Sequence, residues 1–187
     1  SDQGWAVRGN GARWTRFNRL TGEGSPIEPR PSKADTLAHG FSTVSRLFPN
    51  ARDVLGAIDD ELVRRFLGPF PEGTAVCFED QYASSGGQMY ELLAGHDRFV
   101  ADIRPLIHGI PKERGEHPCM CAPPYDLCAL LLAEEAGVAI TGPDGHPLDA
   151  PLDTTTDVAW VGYANQDLRK VLEPVFQEVV NAHRLDR

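Results

Sequence analysis

Residues Pro123-Pro124-Tyr125-Asp126-Leu127-Cys128-Ala129, running on to Glu134-Glu135-Ala136-Gly137, carry the reading of the fold. A proline pair suits the first turn of a helix, where the missing N–H has no intrahelical partner to lose. Asp126 follows in that first turn, where a carboxylate meets unpaired backbone N–H groups and the positive end of the helix dipole. Gly137 is the expected stop, so the segment predicts one helix from Pro123 to Ala136. Val138 to Thr141 then reads as a strand, and Gly142-Pro143-Asp144-Gly145 as a turn.

The same alternation extends in both directions. Val158 to Tyr163 reads as a strand, and Asn165 caps a last helix with Leu168, Val171, Leu172, Val175, Phe176 and Val179 on one face and an expected kink at Pro174. Upstream, Phe99 to Ile103 alternates as a strand, and Ser84 or Ser85 can cap a helix ending at Gly95. Thr74 to Phe78 reads as a buried strand, and Asn50 as the cap of a helix carrying Val54, Leu55, Ile58, Leu62, Val63 and Phe66. Gly40 to Val44 is a further strand. The stretch from Pro105 to Pro124, with His108, His117, Cys119 and Cys121, is irregular, and the first 35 residues are read as hairpin and loop lead-in. Strands alternating with helices predict a layered α/β fold, with 1–187 as a single domain.

Composition excludes several function classes. A formal charge of −9 repels phosphate backbones, and no basic stripe appears, so nucleic acid is not an expected partner. With 41% hydrophobic residues the chain contains no apolar run of the roughly 18 residues a bilayer span needs, so no membrane partner is expected. Three of the four cysteines lie too close together for a disulfide framework, which predicts reduced thiols and a cytoplasmic location. The opening Ser1 to Val7 runs straight into strand-like residues, as a chain cut in mid-domain would.

Several motifs in order carry a resemblance. Tyr125-Asp126-Leu127-Cys128-Ala129 with Glu134-Glu135-Ala136-Gly137 resembles the aromatic-Asp-x-x-Ala helix and Glu-Ala-Gly-Gly ending of the inositol monophosphatase family, Val138 replacing the second glycine. Ser84-Ser85-Gly86-Gly87 is similar to that family's Gly-Ser/Thr-Ala segment. Asp102, seven positions after Gly95, matches its substrate-hydroxyl acceptor, and Trp5 to Ala12 its Ala-x-x-Gly-x-Gly-Ala hairpin. The resemblance implies the C-terminal half of an inositol monophosphatase-like sugar phosphatase. It implies Asp126 as a ligand of catalytic Mg²⁺, Asp102, Ser84, Ser85 and Gly86 as substrate contacts, a small phosphorylated polyol as substrate, and a possible homodimer. Plainer roles stand beside these: Asp126 as a favourable first-turn acid, Ser84 and Ser85 as helix caps, Asp102 paired with Arg104.

The family's remaining ligands, and the base that activates water, belong to an N-terminal half that this sequence lacks, so that half is an expected partner and the isolated chain is expected to be inactive. Asp149, Asp153 and Asp157 read as loop solvation rather than substitutes. His117, Cys119, Cys121 and Cys128 offer soft ligands to zinc, but Cys-x-Cys is tighter than a zinc knuckle, and buried thiols binding no metal are the expectation. A Cys–His nucleophile has no visible oxyanion context, and His96 reads as a helix-end cation or core contact. A non-catalytic binding or structural domain on the same fold is the alternative.

Overall fold

The computed structural model describes residues 1–183. Its centre is a four-stranded sheet in the order β4-β5-β7-β6, made of β4 (Phe41–Val44), β5 (Asp97–Asp102), β6 (Ala139–Thr141) and β7 (Trp160–Tyr163). β4 runs parallel to β5, and β7 is antiparallel to both β5 and β6. Successive side chains on a strand face opposite ways, and the two cores divide accordingly. Phe99, Ala101, Val161 and Tyr163 pack with α1 (Arg52–Leu67) and α5 (Gln166–Ala182). Val100 and Trp160 pack with α2 (Ser85–Ala94) and α4 (Leu130–Glu135). Gly162 keeps the second layer close, since a Cβ there would stand 2.5 Å from Leu92 Cδ1.

A second, antiparallel sheet holds β1 (Asp2–Ala6), β2 (Ala12–Phe17) and β3 (Gly24–Ile27) in that order. It closes onto the α2/α4 layer through Trp14, whose ring lies 5.3 Å from that of Tyr90. Glu135 adds a polar hook by accepting the Gly9 and Gly11 N–H groups at 2.6 and 2.8 Å. Both glycines sit at positive φ, which lets the turn aim successive N–H groups at one carboxylate. Those hydrogen bonds hold the Glu135 carboxyl below its usual range. The layered α/β architecture agrees with the sequence reading.

Three elements differ from it. Residues 74–77 form no strand: the segment lies along β4 through His39 N–H to Val76 O and Phe78 N–H to Gly40 O, with a single bridge at Phe78. Asn50 does not cap α1, because Asn50 (φ 79°) and Ala51 (φ 58°) are both left-handed. That backbone turns the Asn50 side chain away to donate to the His117 carbonyl at 2.7 Å. The helix expected from Pro123 to Ala136 is split into a 3₁₀ turn, Pro124–Leu127, and α4. The irregular stretch before it also contains a 3₁₀ turn, Arg104–Ile107, and a short α3 (Gly109–Glu113).

Sheet edges are blunted unequally. The 76–78 segment covers β4, β6 is three residues long with a bridge to Pro147, and β3 contains Pro26. Among the described residues no helix is long and apolar enough to cross a membrane.

Asn165 caps α5 as expected, accepting the Asp167 and Leu168 N–H groups at 2.9 and 2.8 Å. Its amide also donates to the Ser32 and Ala34 carbonyls, tying the lead-in to the sheet. Asn165→Ala should therefore cost about 2 kcal/mol in urea unfolding, the upper end of the range for cap removal. A cost below about 0.5 kcal/mol would show that the cap and the lead-in contacts carry little of the stability.

Candidate functional site

The start of α2 gathers the residues singled out by the sequence. Ser84 is extended and its hydroxyl accepts the Gly87 N–H at 3.0 Å, a helix cap. The Ser85 N–H, one of the donors a helix start leaves unpaired, donates instead to Asp126 Oδ2 at 2.7 Å. The 3₁₀ turn that carries Asp126 presses on the helix at Gly86, where a Cβ would lie 3.0 Å from Cys128 Sγ and 3.3 Å from the Asp126 carbonyl. Only glycine accepts that contact without displacement. Ser85 itself is buried, and its hydroxyl accepts the Trp160 indole N–H at 3.1 Å. Trp160 is the cross-strand partner of Asp102. Asp126, Ser84 to Gly86, Trp160 and Asp102 thus form a connected run from helix to sheet.

Asp102 lies at the buried end of that run with no exposed surface. Arg104 Nε donates to its Oδ1 at 2.8 Å and Nη2 to its Oδ2 at 2.6 Å, a two-pronged pair. Arg104 Nη1 donates to the Met120 carbonyl at 2.7 Å, and the guanidinium carbon stands 5.3 Å from the Phe48 ring centre. Burial opposes the Arg104 charge, but the hydrogen bonds and charge of Asp102 outweigh it and leave the guanidinium pKa raised. The structure therefore holds the plainer roles weighed for Asp102 and Ser84: ion pair and helix cap. His96 pairs with Glu91 at 2.5 Å beside the end of α2.

Asp126 is half-buried, and Ser85 occupies one of its oxygens. Mg²⁺ takes six oxygen ligands in near-octahedral array, and a two-metal phosphoryl site, its ions about 3.5–4 Å apart, needs several carboxylates. Among the described residues, the one group of three or more His, Cys, Asp or Glu side chains within reach of a common ion is His108, Cys121 and Asp157. Asp126 is not among them. The described residues do not by themselves fit a magnesium site.

The zinc set weighed from the sequence is not assembled either. His117 and Cys128 are exposed, whereas Cys119 and Cys121 are buried. A hydrogen bond from Cys121 pulls the Cys119 thiol down to about 7, and the same bond, with burial, pushes Cys121 well above the usual thiol range. Of the two residues that join Cys121, His108 lies in the stretch that reads as irregular and Asp157 among the acids that read as loop solvation. No local spacing links them, because the convergence is tertiary.

Comparison with solved structures places the architecture. The chain superimposes on SuhB of Mycobacterium tuberculosis with a TM-score of 0.58 at 12% identity, covering 93% of this chain and 53% of that one. For the IMPase of Thermotoga maritima the values are 0.55, 15%, 93% and 54%. For the inositol monophosphatase of Anabaena they are 0.54, 12%, 89% and 56%. The chain has an inositol monophosphatase-like fold. It spans a little over half the length of these structures, so the likeness covers nearly all of this chain and only part of each of theirs. No family model and no curated protein matches at the level of sequence. Within the inositol monophosphatase-like fold, the contact between α2 and the Asp126 turn is the feature that unites the motifs read from the sequence.

Because Asp102 and Arg104 are desolvated together, removing one partner should be expensive and removing both should not. Arg104→Met should cost about 3–5 kcal/mol in urea unfolding, while Asp102→Leu/Arg104→Met should recover most of that loss. A single-variant cost below about 1 kcal/mol would mean that water reaches the pair.

Proposed function

We propose that this chain is the C-terminal half of a phosphoric monoester hydrolase acting on a phosphorylated inositol, sugar or related polyol, and that it is inactive by itself. The observation that carries this reading is the hydrogen bond from Ser85 N–H to Asp126, which fixes a hard oxygen ligand at the start of a ten-residue helix. A helix start also suits a phosphate, through its dipole and the N–H groups left free of intrahelical bonds. The fold comparison supports the reading, as does the order of the motifs along the chain. Magnesium enters only with a completing half, because this chain contributes a single carboxylate where several are required. Ser84 to Gly86 would then face the phosphate. Asp102 would act on substrate hydroxyls only after release from Arg104, and is otherwise a positioning residue.

A second reading is favoured by that same pairing. Asp102 is closed by Arg104, and the Ser85 hydroxyl by Trp160. Both contacts suit a binding or structural domain that retains the fold without catalysis.

A phosphate-release assay separates the two. This chain alone should release no phosphate from inositol or sugar phosphates. Joined to an N-terminal half that carries the missing carboxylates, it should show Mg²⁺-dependent release, and Asp126→Asn should abolish most of it. Asn keeps an oxygen to accept the Ser85 N–H, so the loss would report on charge rather than folding. Turnover by the isolated chain, or full activity in the Asp126→Asn protein, would remove Asp126 from the mechanism. A completed protein that folds but releases no phosphate would favour the non-catalytic reading.

A further inference from the structure

We propose that His108, Cys121 and Asp157 form a zinc site, separate from Asp126 and independent of the phosphatase reading. Their ligand atoms lie within 4.8 Å of one another. His108 Nε2 is 2.9 Å from Cys121 Sγ, and His108 Nδ1 is 3.9 Å from Asp157 Oδ2. Around a tetrahedral zinc, with bonds of about 2.3 Å to sulfur and about 2.0–2.2 Å to nitrogen and oxygen, ligand atoms stand about 3–4 Å apart. An imidazole gives one nitrogen to a given ion, so the relevant spacing is the 4.8 Å within which one ligand atom from each residue lies, and shifts of about 1 Å bring the three to zinc distances.

Each ligand is held by a hydrogen bond to the backbone one or two residues away. Leu106 N–H donates to the Ile103 carbonyl at 3.0 Å, closing the 3₁₀ turn that delivers His108. Arg104 reaches across to the Met120 carbonyl, which sets Cys121. Val158 N–H donates to the Ala122 carbonyl at 3.0 Å, which places Asp157 beside Cys121. Cys121 is 5% exposed, and its surroundings are fixed before any ion binds.

The donor set selects the metal. Thiolate and imidazole are too soft for Mg²⁺ or Ca²⁺ and suit Zn²⁺, while one thiolate and one carboxylate together balance its charge. Three protein ligands leave the fourth position to water or a small anion. Asp157 also lines a cavity of about 600 Å³, whose walls include Leu106, Pro147, Thr156, Val158 and Gln177. The Cys121 thiol donates to the Cys119 carbonyl at 3.6 Å, a local contact that positions the sulfur before an ion binds. Bound zinc would pin the loop ahead of β7 to the segment that carries the Asp126 turn.

The test uses the reduced, chelator-stripped 187-residue chain and Zn²⁺ alone. One equivalent should survive dialysis, and Co²⁺ in its place should give tetrahedral bands with a thiolate charge-transfer feature. Loss of an outer partner alone weakens metal binding by about 10–100-fold, so Cys121→Ser and His108→Gln should each weaken it by at least about 100-fold. Asp157→Asn should weaken it by about 10-fold or more. Cys128→Ser and His117→Gln should bind as the parent does. The Co²⁺ spectrum is read on the unmodified chain, so that result does not depend on a variant folding. No retained zinc, retention indifferent to Cys121→Ser and His108→Gln, or equal loss on Cys128→Ser would overturn the assignment.

Discussion

Asp102 and Arg104 leave water together at the end of the central sheet, and much of the molecule is arranged around that event. Desolvating two charges is costly, and the pair survives because both carboxylate oxygens and three guanidinium nitrogens are used. Its third bond, to the Met120 carbonyl, turns a local pair into a long-range clamp. A buried charge without its partner is far worse than either fold alternative, so the chain from Ile103 to Cys121 has little freedom to settle elsewhere. The 3₁₀ turn, α3 and the loop back to the Asp126 turn all follow from this anchor.

One strand register carries the effect across the sheet. Asp102 faces Trp160, the Trp160 indole binds the Ser85 hydroxyl, and the Ser85 backbone binds Asp126. A slip of one residue in β7 would send Trp160 to the α1/α5 face and break the run at its middle. Correct placement of Asp126 therefore depends on core packing some distance from its own helix turn.

The long periodic elements were legible in the sequence because burial alone specifies them: α1 and α5 each present one apolar stripe to the sheet. Ser84 and Asn165 were legible as caps because a side-chain oxygen beside a helix start has a single economical use. Asn50 failed that rule, since a left-handed residue ahead of α1 is invisible in composition. The Pro123–Ala136 segment failed because its first turn is tightened against α2 at Gly86, a tertiary contact. For the site, motif order foretold that Asp126 and Ser85 would meet. The Asp102–Arg104 pair was readable at two residues' spacing. His108, Cys121 and Asp157 were not, because their meeting is decided by backbone bonds between segments that share no pattern.

The unequal blunting of the sheet edges limits how copies of this chain, or another polypeptide, can join it through main-chain bonds. An unpaired edge offers a row of N–H and C=O groups to any incoming strand. The 76–78 segment shields β4, β6 is too short to template much, and Pro26 deprives β3 of a donor. β1 has none of these defences, and it carries exposed Trp5, with the Arg13 guanidinium stacked 5.2 Å from its ring. Strand addition to the described chain is thereby steered to one side of the small sheet, away from the central one.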